Sequence, residues 1–236
     1  MLIIAHRGAS GHAPENTMAA FRLALDMNAD GLELDVHQTK DGEVVICHDD
    51  DVKRTTNGQG LIQDMTLEEL QRLDAGSWYG ERFRGEKIPT LHEFMALIAE
   101  TRLLINLEIK NLPFYYKGIE EKIVRTVLEH DLLERVVISS FDHYVLAAIV
   151  ELEPRMKLGL LFGTSKSEPW SYVEQLPFRA YSLHPHYTVV NEEYIARSHS
   201  QGYKVYPYTV NERAWAEPLA IAGLDGVITN YPDRFL

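Results

Sequence analysis

The chain has 236 residues, 45% hydrophobic and 25% charged, with 23 Lys+Arg against 35 Asp+Glu and a formal net charge of −12. That composition supplies a real core and excludes disordered, collagen-like and coiled-coil chains. The acidic balance disfavours nucleic acid and anionic membranes as partners, leaving a small molecule as the expected one.

A single cysteine, Cys47, excludes an intramolecular disulfide and fits a reducing compartment. No apolar run approaches the ~18 residues of a membrane span, so no stable membrane association is expected. The apolar start, Met1 to Ala5, stops at His6-Arg7 and is too short for a signal peptide, which predicts a cytoplasmic protein. None of these features fixes an oligomeric state.

In chain order, short β-branched runs predict strands at Leu2–Ala5, Gly31–Val36, Leu103–Lys110, Arg135–Phe141, Lys157–Phe162, Ala180–His184, Lys204–Val210 and Gly226–Asn230. Between them, helices are predicted at Thr17–Asn28, Thr66–Asp74, Leu91–Thr101, Lys117–His130, His143–Glu151, Trp170–Gln175, Asn191–Gln201 and Glu212–Ala222. Strand and helix alternate eight times, which predicts an α/β fold, a closed TIM (β/α)8 barrel in a single domain over 1–236. The turn after the first strand, His6-Arg7-Gly8-Ala9-Ser10-Gly11, lacks the G-x-G-x-x-G order of a dinucleotide fold.

One segment breaks the alternation. Asp41-Gly42, followed by Val44-Val45-Ile46, reads as a two-residue hairpin. That register pairs Asp35 with His48 and sets both on one face. From about 50 to 89 the chain is more polar and glycine-rich, which predicts a small insertion between strands two and three covering the barrel mouth.

Barrel active sites lie at the carboxyl ends of the strands. Strand one ends in His6-Arg7. Glu33 and Asp35 share one face of strand two, and Asn106, Glu108 and Lys110 share one face of strand three. A closed barrel offers its strands no wet face, so these charges need partners or a metal. Three carboxylates suit a hard cation, Mg2+ or Ca2+, whereas zinc more often recruits histidine. With a divalent cation, Arg7 and Lys110 tip the site to net positive, fit for an anion such as phosphate. Pro14-Glu15-Asn16-Thr17 starts a helix with Asn16 as its expected cap. Glu15 is left free to orient a neighbour, and Asp49 reads as hydrogen-bonded scaffold. Phe141 and Tyr208, at strand ends, are the aromatic candidates for the pocket wall.

The ordered set Ala5-His6-Arg7-Gly8, Pro14-Glu15-Asn16-Thr17, Glu33-Leu34-Asp35-Val36, Thr39-Lys40-Asp41-Gly42, His48-Asp49, Arg54-Thr55-Thr56-Asn57-Gly58, Glu108-Ile109-Lys110, Ser139-Ser140-Phe141, Thr209-Val210-Asn211 and Gly226-Val227-Ile228-Thr229-Asn230-Tyr231-Pro232 resembles the glycerophosphodiester phosphodiesterase family. The resemblance implies a phospholipase C-like barrel that hydrolyses a glycerophosphodiester to sn-glycerol 3-phosphate and an alcohol. It implies Glu33, Asp35 and Glu108 as ligands of one divalent cation, His6 and His48 as the acid–base pair, and Arg7 and Lys110 on the phosphate. Two alternatives stay open: a phosphodiesterase of the same fold acting on lysophospholipids, and a non-catalytic protein that captures glycerophosphodiesters.

Overall fold

The computed structural model describes residues 1–236. Nine strands occur in chain order: β1 (Leu2–Ala5), β2 (Gly31–Gln38), β3 (Val44–Ile46), β4 (Leu104–Ile109), β5 (Val136–Ser140), β6 (Lys157–Phe162), β7 (Ser182–Pro185), β8 (Lys204–Val205) and β9 (Gly226–Thr229). The helices are α1 (Met18–Asp26), α2 (Leu67–Gln71), α3 (Leu91–Ile98), α4 (Ile119–Glu129), α5 (His143–Leu152), α6 (Trp170–Val173), α7 (Glu192–Ser200) and α8 (Arg213–Ile221). No helix is long and apolar enough to cross a membrane.

All strands but β3 pair in parallel, in the order β8-β7-β6-β5-β4-β2-β1-β9. The remaining seam joins the segment after β8 to β9. There Val210 N–H donates to Ile228 O at 2.9 Å, and Ile228 N–H donates to Pro207 O at 3.0 Å. The predicted strand Lys204–Val210 therefore exists in two halves. Tyr206 and Tyr208 N–H donate back to Leu183 and Pro185 O on β7. Val210 turns to β9, and Pro207 has no N–H to keep a ladder regular. At the foot of the seam the Asp225 carboxylate accepts from Val205 N–H at 2.9 Å and Lys204 Nζ at 3.1 Å.

Alternation along each strand sorts the two faces. Leu32, Leu34 and Val36 of β2 and Ile105, Leu107 and Ile109 of β4 lie in the large apolar layer beneath the helices. Ile4, Tyr206 and Ile228, on the opposite faces of their strands, pack together as a small plug inside the barrel. Threonines start α1, α2 and α3. Thr66 and Thr90 each form a capping box, with Glu69 and Glu93 respectively. The cap of α1 is Thr17, which accepts from Ala20 N–H, and not the expected Asn16. Asn16 is instead left-handed, at φ 58°, and its side chain turns inward.

The hairpin register differs from the expected one by a residue. Val36 pairs with Ile46 and Gln38 with Val44, so Cys47 stands opposite Asp35 and donates its N–H to Asp35 O at 3.0 Å. The turn holds three residues, Lys40-Asp41-Gly42, closed by Thr39 N–H donating to Glu43 O, with Gly42 at φ 90°. This is the three-residue hairpin that ends on a left-handed glycine. Asp41 is drawn into it because its carboxylate accepts from Thr39 Oγ1 at 2.6 Å and from Leu67 N–H. The insertion follows β3 and builds a small core of its own from Val45, Cys47, Val52, Ile62, Leu70, Ala75 and Ile88.

Candidate active site

Asp35 on β2 stands directly opposite Glu108 on β4, and Glu33 opposite Asn106. Glu33, Asp35 and Glu108 are buried, and one oxygen from each lies within 4.8 Å of the others. Four groups hold them there. Arg7 N–H donates to Glu33 Oε2 at 2.8 Å, and Asn16 Nδ2 donates to Asp35 Oδ2 at 2.8 Å. Lys110 Nζ donates to Glu108 Oε1 at 2.7 Å and lies 3.5 Å from Asp35 Oδ1. Arg7 Nε lies 3.3 Å from Asp35 Oδ2.

The backbone that aims the Arg7 N–H is left-handed at two successive residues, Arg7 (φ 56°) and Gly8 (φ 76°). A Cβ on Gly8 would sit 2.6 Å from the backbone carbon of Ala20, so only glycine fits the turn.

Both histidines reach this rim. His6 Nδ1 bonds Asn230 Oδ1 at 2.6 Å, and His6 Nε2 lies 3.9 Å from Glu33 Oε2. An amide oxygen only accepts, so Nδ1 carries the proton and Nε2 faces the carboxylates with its lone pair. His48 Nδ1 bonds Asp49 Oδ1 at 2.7 Å, which fixes the same tautomer. Under the observed register a continued strand would turn His48 to the wrong face. β3 ends at Ile46, however, and His37 Nε2 bonds His48 O at 3.1 Å, so the chain leaves the sheet and the ring stays at the mouth.

The electrostatics follow from burial of like charges. Burial, then Asp35 and Glu108, push Glu33 well above the usual carboxylate range. Burial and Asp35 raise Glu108 to about 7. Burial also opposes ionisation of Asp35, but Lys110 and Arg7 outweigh it and hold Asp35 well below the ordinary value. Burial and Arg7 lower His6 to about 4. Burial likewise lowers His48, against Asp35 and Asp49.

The donor set fits a hard divalent cation. It is all oxygen, and Glu33 Oε1 and Asp35 Oδ1 are buried without a hydrogen-bond partner. Arg7 Nε is a buried donor without an acceptor, and Lys110 spends one proton on Glu108. Both cations thus pair with carboxylates and retain N–H groups that no hydrogen bond uses. Phe141, directly after β5, meets Tyr208 edge to face with ring centroids 6.1 Å apart. Phe141 also lines a small cavity of about 70 Å3 with Glu108, Lys110, Leu112 and Asp142.

Sequence reasoning gave Asn230 and Arg54 no role beyond their motifs and passed over His37. Barrel closure could have found Asn230, because β1 pairs with β9 through Ala5 and Thr229, which puts the next residues, His6 and Asn230, side by side. His37 and Arg54 act through contacts that no periodicity announces.

Fold and site together define a barrel phosphodiesterase: a buried oxygen cluster at the carboxyl mouth, ringed by two histidines and two cations. The chain belongs to the glycerophosphoryl diester phosphodiesterase family, whose model matches residues 6–234. It is 46% identical over 235 residues to a glycerophosphodiester phosphodiesterase of Caldanaerobacter subterraneus subsp. tengcongensis, covering 100% of this chain and 96% of that one. It is 38% identical to the Bacillus altitudinis glycerophosphodiester phosphodiesterase, covering 98% and 95%. Among solved structures, an Oleispira antarctica phosphodiesterase in complex with the product sn-glycerol-3-phosphate superposes with a TM-score of 0.87, at 35% identity, over 100% of this chain and 95% of that one.

Proposed function

We propose that this protein hydrolyses glycerophosphodiesters to sn-glycerol 3-phosphate and an alcohol, with Glu33, Asp35 and Glu108 holding one divalent cation, Mg2+ or Ca2+. The observation that carries the reading is the pair of histidines set around one buried acidic cluster, each with Nδ1 tied back and Nε2 free. A capture protein has no need of two such bases. The glycerophosphodiester specificity is taken from the named activity of the relatives and from the product held by the Oleispira antarctica neighbour.

When bound, the cation supplies electrostatic stabilisation for the negative charge that builds on the phosphoryl group. Arg7 and Lys110 add donors to the same oxygens. His6, whose Nδ1 partner is a neutral amide, is the base. Its Nε2 takes the proton of the glycerol 2-hydroxyl, and that oxygen attacks phosphorus. The bond from phosphorus to the alcohol oxygen breaks. His48, whose imidazolium Asp49 stabilises, protonates the leaving oxygen. The product of this step is a five-membered cyclic 1,2-phosphate. Water then opens the ring with the roles exchanged: His48 takes the water proton, and His6 returns its proton to the 2-oxygen. Phe141 and Tyr208 form the wall on the alcohol side.

Glycerophosphocholine and its 2-deoxyglycerol counterpart, supplied side by side, test the reading. The first should yield sn-glycerol 3-phosphate and choline. The second should bind as a competitive inhibitor and hardly turn over, since a well-placed internal nucleophile is worth ~7–11 kcal/mol. Comparable cleavage of both would replace the cyclic route by direct attack of water.

A further inference from the structure

The first turn of the insertion, Arg54-Thr55-Thr56-Asn57-Gly58, has no part in the mechanism above, yet it delivers an arginine to the rim. Arg54 uses two edges of its guanidinium. Nη1 and Nη2 donate to Glu15 Oε2 and Oε1 at 2.9 and 2.7 Å. Nε and Nη2 donate to Asp49 Oδ2 and Oδ1 at 2.6 and 3.1 Å. Each carboxylate has a second customer. Glu15 Oε1 also accepts from Arg7 Nη1 at 2.8 Å, and Asp49 Oδ1 also accepts from His48 Nδ1 at 2.7 Å. An unbroken path of charge-assisted bonds therefore runs from Arg7 through Glu15, Arg54 and Asp49 to His48. Its two ends are groups given different tasks on the same phosphate.

We propose that Arg54 is a positioning residue that fixes His48, through Asp49, and Arg7, through Glu15, in one relative placement. The inference rests on the acid–base role given to His48 above. Its physical basis is the fork geometry of arginine. A lysine offers one point charge and cannot grip two carboxylates in bidentate fashion. Without the guanidinium, Glu15 and Asp49 lose their shared counter-charge and Asp49 is free to rotate away from the imidazole. The Arg54 side chain is 44% exposed, so its truncation removes little packing. The loop beneath is held separately, by Thr56 Oγ1 donating to Val52 O at 2.7 Å and Gly58 N–H donating to Thr56 Oγ1 at 3.0 Å.

The test uses the full chain loaded with Mg2+. Arg54→Ala and Arg54→Lys should both fold, and each should lower kcat by roughly 10–100-fold, with a smaller change in KM. Lysine should fail to rescue. In a His48→Ala background, Arg54→Ala should lose most of its effect, because its main target is gone. In the neutral form of His48, long-range 1H–15N spectra should show one tautomer, protonated at Nδ1, in the wild type, and a tautomer mixture in Arg54→Ala. Wild-type kcat in Arg54→Ala with an unchanged His48 spectrum would overturn the proposal. So would a full multiplicative loss on top of His48→Ala, or full rescue by lysine. If the wild type cleaves no glycerophosphodiester, the proposed function falls, while the His48 spectrum still decides whether Arg54 orients that ring.

Discussion

Asp35 and Glu108 face each other directly across the β2–β4 ladder, and Lys110 Nζ reaches both, at 3.5 and 2.7 Å. Lys110 and Arg7 bring two positive charges to the three carboxylates, which leaves one negative charge in excess when all are ionised. Glu108→Gln removes one charge and keeps the shape. The metal-free variant should melt a few °C above metal-free wild type, because like-charge repulsion is relieved. Mg2+ or Ca2+ should raise the Tm of the wild type and leave that of the variant nearly unchanged. Thermal unfolding with chelator and with added metal checks this. A metal-dependent rise retained in Glu108→Gln would remove Glu108 from the ligand set.

His6→Ala and His48→Ala should each lower kcat by ~10²–10⁴-fold. Metal binding, read by the same thermal shift, should stay near the wild-type value. The double variant should be scarcely slower than the worse single one, since both rings serve one step. Steady-state kinetics of the three variants decide it, and fully multiplicative losses would mean that the rings act independently.

The cyclic 1,2-phosphate of glycerol, supplied directly, should be hydrolysed at a rate no lower than that of the diester, because it enters at the second step. His48→Ala should slow this reaction as well, since His48 is then the base. Phosphorus NMR follows the ring opening. A cyclic phosphate that is inert with active enzyme would exclude it as an intermediate.

His184 is fully buried inside the barrel, where Ser182 Oγ bonds its Nε2 at 2.8 Å and its Nδ1 has no partner. Burial pushes its pKa down to about 3. The unfolded chain protonates this ring below about 6.5 and the folded one does not. Its contribution to stability is thus complete above that pH and is lost as pH falls from 6.5 toward 3, with a slope approaching 1.4 kcal/mol per pH unit. His184→Asn should flatten the wild-type stability curve in that window by this slope. Denaturant titrations of both proteins from pH 7 to 4 measure it, and parallel curves would show that the ring is protonated in the fold.

The barrel was legible because each strand keeps a period of two against helices that keep 3.6, and Glu33, Asp35 and Glu108 followed from placing charges on the inner face of a closed sheet. The hairpin register was not. Whether Asp41-Gly42 closes a two- or three-residue turn depends on Asp41 being recruited by Thr39 and by Leu67, which lies well beyond the hairpin. His48 reached the site for a different reason than the one read from the sequence, by leaving the sheet and being held by His37. Asn230 and Arg54 had no readable role because one meets His6 from the far end of the chain and the other sits in an insertion without periodicity. The predicted helix from Lys117 starts at Ile119, after Gly118 at φ 77°.

The most direct measurement is phosphorus NMR of glycerophosphocholine incubated with chelated protein, then with Mg2+ or Ca2+ restored. The account predicts no turnover in chelator, and conversion to sn-glycerol 3-phosphate with release of choline once metal is added. Turnover in rigorously metal-free protein, release of phosphocholine and glycerol, or no turnover of this or any other glycerophosphodiester with either metal would contradict it.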